Sequence, residues 1–276
     1  LDIPADARSA AMGGAGTALS ADAFSVFRNA APLSSAETRA GGGYTYLPWM
    51  RSLIPETTLH AAAAYFKPNA KQAVSLGFRH FTQYGSERTD DNGNVLGRLR
   101  PRDMAFDIGY SRTIAKGLSA TLTGRYVRSD AGTGHTGNAV AFDAGLFYRQ
   151  TLSRSHALNF GFQAANFGSG IDCGGGGQPL PWRLKAGVAA DLALAQAHRL
   201  TLTAEADWRL RPAESRAWSG RFGAEYRCCG IAALRGGYRL GDRSADEQRY
   251  GSVGAGLRLK RFHGRRERDA YWQSGR

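Results

Sequence analysis

The chain has 276 residues, a length that a single all-β domain can occupy without a second core. Lys and Arg outnumber Asp and Glu by 36 to 23, but the positive charges fall singly along the chain, so we expect no nucleic-acid partner. No stretch reaches the roughly 18 apolar residues of a membrane-spanning helix. A transmembrane β-barrel gives the same pattern, because only alternate residues of its strands face lipid.

Residues 1–40 differ from the rest of the chain in being rich in Ala, Gly and Ser. Two short helices are predicted here, one over residues 5–11 and one after Asp22, a suitable N-cap for the residues that follow. The glycines of residues 13–16 lack the preceding strand and the Gly-Lys pair of nucleotide-binding loops. We therefore predict that glycine lets this segment pack closely inside a barrel.

From Gly41 onward, apolar and polar residues alternate with a period of two. In residues 200–210 the even positions are Leu, Leu, Ala, Ala, Trp and Leu, opposite Thr, Thr, Glu, Asp and Arg. The even-numbered residues from Met104 to Tyr148 are predicted to face lipid in the same way. The segments are about ten residues or longer, as a tilted strand that crosses a bilayer requires. Strands are predicted at residues 42–50, 57–67, 72–88, 102–114, 117–130, 138–152, 156–167, 180–194, 198–211, 217–229, 231–241 and 249–261.

The connections between these strands alternate in length. Long connections are predicted at residues 50–56, 89–101, 131–137, 168–179, 212–216 and 242–248, with tight turns between them. Long loops on one rim and short turns on the other are typical of an up-and-down antiparallel barrel of the bacterial outer membrane. Trp182, Trp208 and Trp218 fall at strand ends on the long-loop rim, where an aromatic girdle would lie.

Charged residues occupy the positions that alternate with the apolar ones, and so they are predicted to face the lumen. They could line a charged channel or pair with one another, and pairing is favoured because buried ions must find partners. The predicted lumen charges are Asp107, Arg125, Asp143, Arg149, Arg183, Lys185, Asp191, Glu205, Asp207, Arg209, Arg221, Glu225, Arg235 and Arg239.

No catalytic, metal or cofactor site is predicted. The histidines are scattered without an HExxH pattern, and no GxSxG surrounds a serine. The three cysteines, Cys173, Cys228 and Cys229, are odd in number and have no zinc-like spacing. The chain starts at Leu1 without a signal-peptide pattern, so we expect that such a peptide is cleaved or left out.

Several segments resemble the PorV/PorQ-type proteins, a branch of the FadL-like barrels. They are DARSAAMGGAGTA at residues 6–18, DAFSVFRN at 22–29, YTYLPWM at 44–50, LGFRHF at 76–81 and GRYVRSD at 124–130. The ordered set covers nearly the whole chain. One departure is Asn-Ala-Ala-Pro at residues 29–32, where the family has Asn-Pro-Ala.

The resemblance implies a FadL-like barrel of fourteen strands over residues 41–276, with residues 1–40 plugging the lumen. It also implies a non-enzymatic role in type IX protein secretion, in which the barrel receives cargo through the cargo's C-terminal domain and presents it to the attachment machinery. The expected partners are therefore translocon and attachment-complex proteins, and the lipid bilayer. Alternatives are a FadL-like channel for hydrophobic small molecules, which would need an apolar pocket in the plug and a lateral gap in the wall, and a barrel enzyme.

Partner binding is predicted at the long-loop rim. The candidate residues are Leu47, Pro48, Trp49 and Met50, which offer an apolar anchor, together with a hairpin turn at Asn92 and Gly93. Trp49 could equally belong to the aromatic girdle.

The sequence also predicts an incomplete barrel. A thirteenth strand would start at residues 269–273, and single-chain bacterial barrels have an even number of strands, so we expect the last strand to be missing.

Overall fold

A computed structural model describes residues 3–48, 57–83, 86–90, 92, 94–132, 134–153, 155–174, 176–242, 245 and 247–257. Among these residues, twelve antiparallel strands form one sheet, and each pairs with the strand of that sheet that follows it in the sequence. A separate two-stranded hairpin, Ser86–Thr89 with Val95–Leu99, lies between the third and fourth strands of the sheet. The strands are β1 Ala40–Pro48, β2 Thr58–Asn69, β3 Gln72–Thr82, β4 Ser86–Thr89, β5 Val95–Leu99, β6 Arg102–Ala115, β7 Leu118–Asp130, β8 Thr136–Thr151, β9 His156–Gly168, β10 Arg183–Ala195, β11 His198–Arg209, β12 Ala217–Cys228, β13 Ala232–Gly241 and β14 Tyr250–Leu257.

The all-β, up-and-down architecture predicted from the alternation is confirmed. One predicted strand, at residues 72–88, is wrong at its end. The wall strand stops at Thr82, and the backbone N–H of Gln83 donates to the carbonyl of Pro101 at 3.1 Å. This bond closes the base of a loop, and the chain beyond it pairs with itself as β4–β5 instead of extending the wall.

The two faces of the sheet differ as the period of two requires. Phe106, Leu122 and Phe142 are between 52% and 59% exposed, whereas Asp107 and Arg125, on alternate positions of β6 and β7, are buried. A one-residue slip of register would exchange the faces and place charges in hydrocarbon, at about 2–4 kcal/mol for an Arg near the bilayer centre. This cost fixes the register.

The N-terminal segment, residues 3–39, contains one α-helix and two 3-10 helices. The α-helix is Ala7–Ala11, where Asp6 accepts a hydrogen bond from the Ser9 backbone, and the first 3-10 helix, Ala23–Phe27, is capped by Asp22 as predicted. The second 3-10 helix, Ala31–Ser35, was not predicted. Among the described residues, no helix is both long enough and apolar enough to cross a membrane.

The N-terminal segment lies against the charged face of the sheet. Its α-helix contacts β13 and β14, its first 3-10 helix contacts β1, β2, β3 and β6, and its second also reaches β7 and β8. One short segment thus touches strands from both ends of the strand order. The sheet must therefore curve around it, and we call the face that it contacts the inward face.

Close packing of the segment depends on glycine at two positions. Gly13 has φ +68°, and a Cβ there would lie 2.7 Å from the carbonyl oxygen of Tyr238. A Cβ on Gly237 would lie 2.2 Å from the nitrogen of Gly13. Here two backbones touch without side chains between them, as the prediction for residues 13–16 requires.

The outer edges of β1 and β14 have no partner strand among the described residues. The predicted thirteenth strand at residues 269–273 lies outside those residues, as does the end of the predicted twelfth.

Candidate functional site

The inward face of β3, β6, β7 and β8 holds an ion-pair network around Arg125. Its guanidinium contacts Asp107 at 2.6 Å and Asp143 at 2.9 Å, and it also donates to Asn166. Arg79 reaches Asp107 from the other side at 3.3 Å. The four charged side chains are at most 8% exposed, so each carboxylate in the network depends on an arginine for its counter-charge.

A second network occupies β10, β11 and β12. Arg221 contacts Glu205 at 3.2 Å and Asp207 at 2.5 Å, while Arg183 contacts Asp207 at 2.7 Å. Arg221 also donates to the carbonyl of Gly14 at 3.2 Å. Cross-strand neighbours of opposite charge are brought together by the register, which places Glu205 directly opposite Arg221.

The wall charges also hold the N-terminal segment. The Glu205 carboxylate accepts hydrogen bonds from the backbone N–H groups of Gly16 and Thr17, both at 2.8 Å. Glu225, 1% exposed, pairs with Arg8 of the segment at 3.0 Å and with Arg235 of the wall at 2.6 Å. The segment is therefore bound to the wall by charge-assisted contacts.

Within the segment, Asp22 joins two arginines that lie far apart in sequence. It contacts Arg8 at 3.1 Å and Arg28 at 2.5 Å, and Arg28 also lies 3.8 Å from Asp6. Sequence reasoning missed these residues because the segment has no periodic pattern that would have assigned its charges to a face.

The predicted lumen charges occupy three environments. The buried ones are Asp107, Arg125, Asp143, Arg183, Glu205, Asp207, Arg221, Glu225 and Arg239. The half-buried ones are Lys185, Asp191, Arg209 and Arg235. Arg149 differs: its side chain is 43% exposed near the short-turn rim, where it pairs with Asp191 at 3.1 Å.

The arrangement on the inward face is suited to holding charges in fixed pairs. Among the described residues, no cluster of three or more His, Cys, Asp or Glu side chains could hold a metal ion. The three cysteines are free, and the sulfurs of Cys228 and Cys229 lie 3.1 Å apart at a short turn.

The predicted partner-binding residues of the long-loop rim are described only in part. Leu47 and Pro48 end β1, and Asn92 lies at the tip of the β4–β5 hairpin. Trp49, Met50 and Gly93 lie outside the described residues.

The hairpin tip is organised by Asp90. Its carboxylate accepts hydrogen bonds from the Asn94 side chain at 2.9 Å, from the Asn94 backbone at 2.8 Å and from the Asn92 backbone at 2.9 Å. These donors favour the charged carboxylate and hold the pKa of Asp90 below its usual value, the Asn94 side chain contributing most.

The tryptophans of the same rim lie where the girdle was predicted. Trp208 and Trp218 are direct cross-strand neighbours and are 46% and 44% exposed. Trp182 precedes β10 and stacks on Phe167, with ring centroids 4.8 Å apart.

Comparison with known proteins supports the same fold. A family model described as "Type IX secretion system protein PorV" matches residues 1–216. No sequence among the curated proteins matches the chain.

Solved structures with a similar fold are FadL-type barrels. The toluene transporter TodX of Pseudomonas putida aligns with a TM-score of 0.59 at 12% identity, over 91% of this chain and 88% of that one. A FadL homologue of Pseudomonas aeruginosa gives 0.56 at 13% identity, over 92% and 86%. The toluene transporter TbuX of Ralstonia pickettii gives 0.54 at 13%, over 85% of each. At this identity the likeness shows the fold alone.

Proposed function

The chain belongs to the PorV family of type IX secretion system proteins and forms an outer-membrane β-barrel, and from this premise we propose that it binds secretion cargo and secretion components at its long-loop rim. In this proposal residues 1–40 are a plug, and the barrel presents cargo to the attachment machinery at the cell surface. It has no catalytic role.

The observation that carries the proposal is how the N-terminal segment is held inside the sheet. Contacts such as Arg8 to Glu225 at 3.0 Å, and Glu205 to the backbone of Gly16 and Thr17 at 2.8 Å, tie it to β11 and β12. The segment also packs against β2, β3, β6 and β8 on the other side. If the segment acts as the proposed plug, the rim is the surface left available to a protein partner.

The β4–β5 hairpin is the part of that rim best suited to a partner. It is not paired with the sheet, and Gln83 and Pro101 close its base. Val95 is 58% exposed, which offers apolar surface beyond the wall. The predicted anchor at Trp49 follows β1, and only β2 lies between β1 and β3 in the sheet, so hairpin and anchor would lie on the same side of the rim.

A FadL-like channel for hydrophobic small molecules is the second candidate. It is favoured by the fold shared with structures described as toluene transporters. It is opposed by the charged inward face and by the N-terminal segment that is bound to this face. Uptake of toluene by liposomes that contain the full chain, and not by empty liposomes, would favour this candidate over the secretion role.

A trimmed hairpin tests the proposal without disturbing the wall. Replacing residues 84–100 by Asn-Gly joins Gln83 to Pro101 through a two-residue turn and keeps Thr82 opposite Arg102. We expect the trimmed protein to remain a folded barrel and to capture less cargo and fewer secretion components from outer membranes. Equal capture by trimmed and intact chains would contradict the hairpin's role.

A second trimmed loop is the matched control. Ile171 and Gln178 already pair through two hydrogen bonds of 2.8 Å, so Asn-Gly can replace residues 172–177 in the same way. We expect capture to be kept by this variant. Loss of capture in both variants would show that loop shortening alone is responsible.

Trp49→Ala separates the anchor from the girdle. If Trp49 binds a partner, the variant assembles normally and secretion falls; unchanged secretion with normal assembly would remove Trp49 from the proposed site.

A further inference from the structure

Two arginines and two histidines lie on the outward face at the long-loop rim. The register places His60, His80, Met104 and Arg128 side by side across β2, β3, β6 and β7. Arg102 lies two residues from Met104 on the same face of β6. Arg102 and Arg128 are exposed and share the face of Phe106 and Tyr126, which is the face that contacts lipid.

The two arginines form no ion pair with a described residue. Neither Arg102 nor Arg128 has an ion pair or hydrogen bond to a described residue, and Nε2 of His80 is buried without a hydrogen-bond partner there. Asp130, opposite Arg102, accepts a hydrogen bond from the Gly132 backbone at 2.8 Å. Cations that face a membrane require an anion, and among the described residues only Asp130 offers one beside the two arginines, so the pair carries more positive charge than its described neighbours neutralise.

An apolar groove begins in the next register row towards the bilayer centre. Its volume is about 600 Å³, and its upper row is Ala62, Phe78, Phe106 and Tyr126. The depression exists where side chains are small or absent. One register row further in, Gly124 leaves open space beside Ile108. The two rows are two residues apart along each strand, or roughly 7 Å.

The chemistry of cations beside an apolar groove matches one kind of occupant. We propose that this surface binds a phosphorylated, acylated glycolipid of the outer leaflet, of the lipid A class, with a phosphate between Arg102, Arg128 and His80 and an acyl chain in the groove. Guanidinium groups bind phosphate through paired charge-assisted hydrogen bonds. Long loops face the cell exterior in bacterial barrels, so the site lies at the outer leaflet.

The opposite side of the same rim has a different surface. There the outward positions of β11 and β12 carry Trp208 and Trp218, and the exposed Arg216 that precedes β12 donates to the carbonyl of Leu210 at 3.4 Å. Arginine at the rim is therefore not what distinguishes the proposed site. Its distinguishing feature is the apolar groove directly below Arg102 and Arg128, which residues of β2, β3, β6, β7 and β8 line.

The test measures binding of purified lipid A to the full chain in lipid nanodiscs, by native mass spectrometry. The double variant Arg102→Gln with Arg128→Gln should bind lipid A at least about tenfold more weakly, because both charge-assisted contacts to the phosphate are lost. Arg112→Gln is the matched control: Arg112 is exposed on the same face of β6, at its other end. It should leave binding unchanged.

A second pair of variants tests the groove without changing charge. Ala62→Leu fills the groove and should weaken binding, whereas Ala224→Leu, on the outward face of β12, should not. Equal binding of dephosphorylated lipid A, an equal loss in Arg112→Gln, or unchanged binding in the double variant would each overturn the proposal. So would phosphatidylglycerol binding as tightly as lipid A. None of these measurements depends on secretion. A failure of the lipid site can therefore be distinguished from a failure of the proposed secretion role.

Discussion

Arg125 offers the sharpest test of the paired inward face. Arg125→Met removes the partner of two carboxylates, Asp107 and Asp143, whose side chains are 0% and 3% exposed. Removing one partner from a buried ion pair costs about 3–5 kcal/mol. Asp107 keeps Arg79 at 3.3 Å, and Asp143 keeps the backbone N–H of Asn166 at 2.7 Å. We therefore expect a loss near the lower end, about 3 kcal/mol.

The free energy of unfolding would be measured by urea titration of barrels folded into phospholipid vesicles, with resistance to SDS as a second readout. The control is Arg149→Met, since this arginine is 43% exposed and its pair with Asp191 should contribute less than about 1 kcal/mol.

A double variant separates lost attraction from unpaired charge. Asp143→Asn, added to Arg125→Met, removes the carboxylate that has lost its arginine, whereas Asp107 still pairs with Arg79, so part of the stability should return. A single variant as stable as the unmodified chain, or a double variant that recovers nothing, would refute the argument from buried charge.

Two further predictions concern the N-terminal segment and the hairpin. Gly237→Ala should displace the N-terminal segment from the wall, because the new Cβ would lie 2.2 Å from the nitrogen of Gly13. The displaced segment should then be cleaved by added protease. Gly236→Ala is the control, since its Cβ would meet nothing closer than 4.0 Å, and it should leave the segment protected. The hydrogen bonds from Asn94 lower the pKa of Asp90. The bonds of the hairpin tip are therefore fully formed above the ordinary carboxyl pKa of about 3.9, and they are lost as the pH falls through the lowered pKa of Asp90. An NMR titration of the Asp90 carboxyl with a midpoint at or above that ordinary value would contradict this.

The fold follows from the sequence because a strand that faces lipid on one side must alternate. Predicted strand bounds agree with the structure within three residues wherever a strand end borders described residues, apart from 72–88. There the polar residues beyond Thr82 still alternate well enough to suggest one strand. The chain nevertheless leaves the wall at Gln83, because the bond to Pro101 closes the loop, and no local pattern encodes that contact.

The candidate site was less predictable. Alternation assigned Asp107 and Arg125 to one face, but it could not say which charges would pair, since pairing depends on register between strands. The contact between Arg8 and Glu225 joins residues 217 positions apart, and nothing in the composition of the segment indicates it. The sequence also did not reveal the outward position of Arg102 and Arg128. The outward face of β6 and β7 was assigned from its apolar residues alone, so charged residues on that face were not considered.

We propose that this barrel engages secretion proteins at its outer rim. The most direct test of this proposal is affinity capture of the full chain from native outer membranes, with bound proteins quantified against the chain whose residues 84–100 are replaced by Asn-Gly. We predict that translocon and attachment-complex proteins are enriched with the full chain and reduced with the trimmed one. A correctly folded full chain that captures no secretion component would contradict the account.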